Sequence, residues 1–528
     1  MRFKTFSYRP FLILLVALFW ALEGHSQHDT QRNAMIALAK GDEKEFAKAF
    51  LNPKVDAGEA ESLFVGMLKL LAEDEVDDAM KVARTALEKG VPASRFFAGP
   101  QNLTAKLRED PQFDELPGIA EVGVIIHGPM VGDVTHNSAK IWARTKGPEI
   151  LYLLVKKDGQ DPVHTGKPVT FSEESDFTGV FQIDGLEPDT EYRCIPTRKN
   201  NLLIGDSDTA VFRTRAKPGD SSPFKVAFGG GAGFVPEWEY MWDTIGGFEP
   251  DAMLMLGDNV YIDQPEFLQT HYYCYSRRQS RPEWRRFIRE VPVYSIYDDH
   301  DFGDNDCVPG PQIEKPAWKR KVWNTFRQNW ANPGYGGGDA QPGCWYDFVI
   351  GDVQFFMLDG RYYRDLKGGS MLGPVQKKWL LEALAKSDAI FKVIVSPVPF
   401  TPNIKPGSRD PWDGYPEERE EIFTHLETDR IDGVFLVCAD RHRTDLRKTE
   451  RPNGYTLYEF ESSRLTNKHV HSVVQTDGLV WGYNEKCSFG LMEFDTTTED
   501  PQVRFRAIDI DGEEHGDFLL KASQLRHP

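Results

Sequence analysis

Cysteine is scarce in this chain: six residues in 528 (Cys194, Cys274, Cys307, Cys344, Cys438, Cys487), none in a Cys-x-x-Cys pair. That argues against a zinc ribbon or a thioredoxin-type redox motif. Spacing alone does not fix disulfide connectivity. Cys274 and Cys307, in aromatic and Gly/Pro-rich loops beside acidic clusters, are the candidate pair. Basic charge is also short, with 62 Lys and Arg against 81 Asp and Glu and a formal net charge of −19. A nucleic-acid scaffold needs a basic surface, so no stable nucleic-acid complex is expected, and only a local basic pocket for anions is left open. Long apolar runs are missing too. Beyond residues 11–22 (FLILLVALFWAL) nothing approaches the ~18 continuous apolar residues of a membrane span.

That one run follows Arg2 and Lys4 and precedes the small or polar residues Gly24 and Ser26. Residues 1–27 therefore read as a secretory signal, with an uncleaved N-terminal anchor as the alternative. The mature protein is expected to be exported: periplasmic, cell-surface or secreted. No transmembrane domain is expected beyond the signal segment. The length exceeds what one hydrophobic core serves, so two or three domains are expected.

Residues 28–115 are rich in Ala, Leu, Glu and Lys, with helical spacing over 33–51 and 60–90 and breakers at Gly41-Asp42 and Gly90. This helical module carries no cluster of chemistry-bearing residues and reads as packing or spacer. From Val122 to about Thr214 the pattern changes to short alternating strands with Gly, Pro, Asp and Asn turns. LEPDTEYRC (186–194) resembles the tyrosine corner of fibronectin type III and related sandwiches, with Tyr192 as the buried phenol. A fibronectin/immunoglobulin-like β-sandwich is assigned to 118–216.

KPGDSSP (217–223) reads as a linker, and FKVAFGGGAGF (224–234) opens a third domain, 220–528, in which strands and helices alternate as in a layered α/β fold. The glycines at 229–231 do not form G-x-G-x-x-G ahead of a helix, so a dinucleotide site is weakly supported. Four segments of this domain end an apolar run in a polar knot: LMLGDNVYID (254–263), VYSIYDDHDFGDND (293–306), VQFFMLDGRYYR (353–364) and GVFLVCADRHRTD (433–445). Sites in layered α/β folds collect at the C-terminal ends of strands. Four such clusters on one sheet edge would make a pocket of hard oxygen ligands, an imidazole and a guanidinium, the composition of a metal-dependent phosphoester hydrolase.

Asp258 is the best candidate for a carboxylate bridging two cations, with Asn259 as neutral ligand or phosphate donor and Tyr261 as phenolate ligand. In Asp298-Asp299-His300-Asp301, strand alternation would put Asp299 and Asp301 on one side and Asp298 and His300 on the other. Both Asp298 and Asp299 stand among the metal candidates. Asp440 and His442, one residue apart, have a familiar ligand spacing. Taken singly, a Gly-Asp-Asn is usually a turn and an Asp-x-His a satisfied surface pair; four together are harder to dismiss. Arg361 is open between a salt bridge to Asp359 and a phosphate clamp. RRQSRPEWRRFIRE (277–290), six Arg in 14 residues, is open between a solvated helix face and steering of anionic substrates.

GDNVYID, DDHD, LDGRYYR, LGPVQKKWL (372–380), DPWDGYPEERE (410–420) and ADRHR together resemble the PhoD-like alkaline phosphatases of the calcineurin-like metallophosphatases, over about residues 118–470. The resemblance implies an α/β sandwich that hydrolyses phosphomonoesters or phosphodiesters, with iron and calcium as usual ions. It implies Asp258, Tyr261, Asp299, Asp440 and His442 as metal ligands and Asn259, His300 and Arg361 near the phosphate. The substrate would be a small-molecule, lipid or polymer phosphoester. In one place the chain departs from the family: its first strand typically ends in Gly-Ser-Cys, with a thiolate iron ligand, where this chain has Gly229-Gly230-Gly231. The remaining donors suit Ca2+ first, Mg2+ or Mn2+ as alternatives, and Fe3+ only conditionally. Cys438, two residues before Asp440, is open between a replacement thiolate and a small buried strand residue. The missing thiolate also raises a second reading, a catalytically silent cell-surface binding protein with a structural metal site.

Overall fold

A computed structural model describes residues 30–50, 59–157, 159–161, 163–199, 202–203 and 209–528. The expected signal segment at 1–27 lies outside the described residues. Among them no helix is long and apolar enough to cross a membrane.

The N-terminal region is helical: Thr30–Lys40, Glu43–Phe50, Glu59–Ala72, Val76–Glu88 and Gln101–Arg108. The stretch at 60–90 is two helices, because Asp74 takes a left-handed φ of 60° and turns the chain back on itself. Their facing sides bury Phe64, Val65, Leu68 and Leu71 against Ala79, Ala83 and Ala86. This apolar set is continuous with the core of the C-terminal region, so the helices are packed onto it. Arg95 makes a two-pronged contact with Glu61 at 2.9 and 3.0 Å, and the Tyr273 hydroxyl donates to the same carboxylate at 2.6 Å.

Residues 125–213 form two antiparallel sheets. One is Ile125–Gly132, Ser138–Thr145 and Thr178–Asp184; the other is centred on Glu149–Lys157 and Glu191–Arg198. They share a separate core that includes Ile141, Leu153, Phe181 and Tyr192. The Tyr192 hydroxyl accepts a hydrogen bond from the Glu187 backbone N–H at 2.9 Å, tying the loop before the strand to the strand itself.

The C-terminal region is built on two further sheets. One runs Val293–Ile296, Ala252–Leu256, Pro223–Gly229, Ser488–Asp495, Gln502–Asp509, Glu514–Lys521; its first three strands are parallel. The other runs Tyr346–Ile350, Val353–Met357, Phe391–Val395, Val434–Cys438, Leu457–Ser462, Thr444–Thr449, Leu479–Tyr483, with four parallel strands at its centre. Phe494 of the first sheet meets Phe355, Phe391 and Phe435 of the second, so the sheets lie face to face. Alternation then sends Phe356 outward, onto Trp379 of the helix Gly373–Lys386. The layering brings the loops after residues 256, 296, 357 and 438 to one edge.

Candidate metal centre

The four loops are locked together by glycine, by left-handed backbone and by one aspartate. Gly257 has φ 101°, and a Cβ there would lie 2.5 Å from the Cβ of Asp298, so only glycine lets the first two loops meet. Asp258, Tyr261, Asp440 and His442 all have positive φ (55°, 50°, 77° and 38°). Such conformations are costly for these residues and gather where function constrains the chain. Asp301 clamps the first loop: Oδ2 accepts from the Asn259 backbone N–H at 3.0 Å and Oδ1 from that of Val260 at 3.0 Å.

The expected strand alternation in 298–301 is not what the chain does. It leaves the strand at Ile296 and makes a helical turn at Asp299–Phe302, so side chains no longer alternate. As a result Asp299 and His300 come together with Asp258: one ligand atom from each lies within 4.8 Å of the other two. His300 Nδ1 is bonded to Asp263, and the ring stacks on Tyr261 with centroids 4.6 Å apart. Asp263 in turn is paired with Arg32 from the first helix.

The Tyr261 hydroxyl donates to Asp258 Oδ2 at 2.9 Å and lies 2.9 Å from His442 Nε2. Its one proton is spent on Asp258, so His442 Nε2 must carry the hydrogen of that contact, leaving a lone pair on Nδ1. That Nδ1 is buried without a hydrogen-bond partner, as are Asp258 Oδ1, Asn259 Oδ1, Asp298 Oδ2 and Asp440 Oδ2. Buried acceptors in this density are unstable unless a cation or proton joins them.

The electrostatics agree. Burial pushes the Asp258 carboxyl up to about 7, against the pull of His300 and with the repulsion of Asp299 and Asp440. Burial would also raise Asp299, but Arg361 and His300 hold it down to about 2. Burial takes His442 down to about 3, so its imidazole is neutral. Burial and Asp258 push the Tyr261 phenol well above its usual range, so a phenolate needs a strong Lewis acid.

Several expectations need correction. Arg361 forms neither a side-chain bridge to Asp359 nor an exposed clamp. It is fully buried, with Nε on Asp298, Nη1 2.7 Å from Asp410 and Nη2 3.7 Å from Asp299. Asp359 is met by its backbone N–H at 2.8 Å. Asn259 is not a phosphate donor, because its amide nitrogen is taken by Ile296 O at 2.8 Å and Asp301 Oδ2 at 3.1 Å, leaving only Oδ1. Cys307 is a free thiol, so the Cys274–Cys307 pair does not form. Cys438 is a buried strand residue among Glu459, Glu461 and Asp445; burial first, then these carboxylates, push its thiol well above the usual range. In the arginine run Arg277 and Arg278 are buried rather than solvated, Arg277 over the Phe234 ring and Arg278 on Glu239.

Sequence reasoning also missed residues. Asp263 sits inside the GDNVYID motif and Asp410 opens DPWDGYPEERE, and nothing local marks either as a partner of the site. His469 and His471, two residues apart in NKHVH, lie beside His442 with ring centroids 5.0 Å away in each case. Their spacing was the available signal.

Two face-to-face sheets with buried carboxylates and imidazoles at the C-terminal ends of their central strands define a metallophosphatase-type protein. A family model described as PhoD-like phosphatase matches residues 226–512, more than half of the chain. The chain belongs to that family. A curated alkaline phosphatase D of Bacillus subtilis (strain 168) is 27% identical over 118 residues, 18% of this chain and 20% of that relative. A solved structure of PhoD superposes with a TM-score of 0.63 at 16% identity, covering 76% of this chain and 91% of its own. A purple acid phosphatase from yellow lupin (Lupinus luteus) seeds gives 0.56 at 11% identity, covering 75% and 74%. At these identities the two structures share the fold.

Proposed function

We propose that this chain is an exported hydrolase of phosphomonoesters or phosphodiesters, acting on a small-molecule, lipid or polymer substrate. The carrying observation is the set of buried ligand atoms without a hydrogen-bond partner from Asp258, Asn259, Asp298, Asp440 and His442 at one sheet edge. Asp299 adds a further carboxylate to that set, and a ring nitrogen of His300 lies within 4.8 Å of both it and Asp258. These donors are mostly hard oxygens, which fits Ca2+, with Mg2+ or Mn2+ as alternatives and Fe3+ only if Tyr261 ionises. When bound, such cations polarise a phosphoryl oxygen and lower the pKa of a coordinated water. Asp258, within 4.8 Å of Asp299 and His300, would hold such cations at the centre of the set. Tyr261 fixes the His442 tautomer. His300, held through Nδ1 by Asp263, offers its other nitrogen to the reacting side and would hold a proton there for a leaving oxygen. Arg361 serves the substrate only indirectly, by keeping Asp299 ionised and holding Asp298 in place, whose carboxyl burial pushes well above its usual range.

We also assign the regions 28–115, 118–216 and 220–528 as helical module, fibronectin/immunoglobulin-like sandwich and catalytic domain. The separate core of the sandwich supports the middle boundary. Export rests on the character of residues 1–27. A silent, binding-only protein remains the second reading, favoured by one observation: a Cβ at Gly231 would lie 2.5 Å from the Ser463 carbonyl oxygen, so the family's thiolate has no room. Turnover of p-nitrophenyl phosphate and bis-p-nitrophenyl phosphate, before and after chelation, tests the proposal; no metal-restored turnover of either would support the silent reading.

A further inference from the structure

The loop after Leu465 brings a second kind of donor to the edge of the site. One ring nitrogen from each of His442, His469 and His471 lies within 4.8 Å of the other two. His469 Nε2 and His471 Nε2 are 2.7 Å apart. The rings of His442 and His471 are stacked at 18°, and that of His469 stands across both at 78° and 88°. Nδ1 of His442 is shielded from solvent without a hydrogen-bond partner.

Main-chain and neighbouring side-chain contacts hold this loop in place. Asn467 Oδ1 accepts from the His469 backbone N–H at 2.8 Å, Asn484 Nδ2 donates to His471 O at 2.9 Å, and Thr466 Oγ1 donates to Gly233 O at 2.6 Å. The imidazoles are thus presented to one another by a fixed frame, and shielded ring nitrogens without partners are a recurrent cost unless a Lewis acid joins them.

We propose that His442, His469 and His471 form a three-imidazole site for a borderline transition-metal dication such as Zn2+, different in donor type from the carboxylate set around Asp258. Zn–N bonds of about 2.0–2.1 Å in tetrahedral geometry place ligand nitrogens roughly 3.3 Å apart. The His469–His471 pair, which now shares a hydrogen bond, has to open by about half an ångström and give up that hydrogen to admit the ion. Three protein ligands leave a fourth position for water or a substrate oxygen. His442 stands between the two sets: Tyr261 holds its Nε2 hydrogen, and its single Nδ1 lone pair, when it serves zinc, is not available to the cations beside Asp258. The site also lies where the family's thiolate is lost: a Cβ at Gly231 would be 3.5 Å from His442 Cδ2. The proposal does not depend on turnover.

The test uses the full chain, stripped of metal and loaded with one equivalent of Zn2+, with X-ray absorption at the zinc edge counting imidazole ligands. Three are expected; two or fewer overturn the site. The double variant His469→Ala/His471→Ala should bind one equivalent fewer of Zn2+ than the native chain, and an unchanged stoichiometry would equally overturn it. Asp258→Ala should keep the imidazole-bound zinc while losing any phosphoesterase activity, which separates failure of this site from failure of the hydrolase assignment. If the double variant does not fold, the ligand count on the native chain decides alone.

Discussion

Arg361→Met removes the one guanidinium that faces Asp298, Asp299 and Asp410 at once. Asp298 and Asp299 keep no other Arg or Lys within salt-bridge distance among the described residues, whereas Asp410 retains Arg364 and, at 3.5 Å, Lys405. Breaking a buried ion pair from one side costs about 3–5 kcal/mol, and the partial rescue of Asp410 puts this case near the lower end, ~3 kcal/mol. That is about two decades in the unfolding constant. Urea unfolding of the metal-free protein, followed by tryptophan fluorescence, measures it. Arg361→Lys keeps the charge, loses the fork and should fall in between. A loss below ~1 kcal/mol in Arg361→Met, together with a large fall in kcat, would refute the structural role and return the guanidinium to the phosphate.

Asp258→Ala should lose metal and on the order of 10³-fold in kcat/KM, by removing the carboxylate at the centre of the set; near-native turnover in a folded variant contradicts that. Gly231→Cys should destabilise the chain by roughly 1–3 kcal/mol and fail to add bound iron, because the new Cβ meets the Ser463 carbonyl and the φ of 66° is left-handed; elemental analysis and a melting curve check both. The stability of the metal-free protein should fall in acid through Asp410. Burial would raise this carboxyl, but Arg361, Arg364 and Lys405 hold it well below its usual range. The pairing is therefore fully present above an ordinary carboxylate pKa of about 4 and is lost as pH falls toward the folded value. Asp410→Asn should flatten the unfolding midpoint between about pH 4 and 2, and an unchanged slope refutes the assignment.

The parallel strands were legible because each is a short, wholly apolar run ending in a polar knot, a pattern that a two-sided sheet enforces. Asp258, Asp440 and His442 follow such runs, which is why the fold brings them to one edge. What failed was local. Asp298 to Asp301 were read with the period of a strand, but the chain coils immediately after Ile296, and one helical turn is too short to show periodicity. For Arg361 the sequence leaves open a bridge to Asp359 or a phosphate clamp, because nothing in it reveals Asp410, 49 residues on, as the partner. The buried Arg277 and Arg278 look solvated in sequence because Glu239 and Phe234 lie about 40 residues away. Arg32 at Asp263 and the imidazoles of 469–471 at His442 are likewise long-range meetings that follow from topology.

The central claim is that the buried donors without a hydrogen-bond partner around Asp258 hold cations that hydrolysis requires. The most direct measurement is bis-p-nitrophenyl phosphate turnover by the full chain, with metal content determined on the same samples as purified, after chelation, and after return of Ca2+, Mn2+ or Fe3+. Bound metal is expected as purified, with loss of metal and turnover together on chelation and recovery of both with at least one of these ions. Turnover that survives complete removal of metal, or stoichiometric metal with no turnover of either a monoester or a diester, would contradict it.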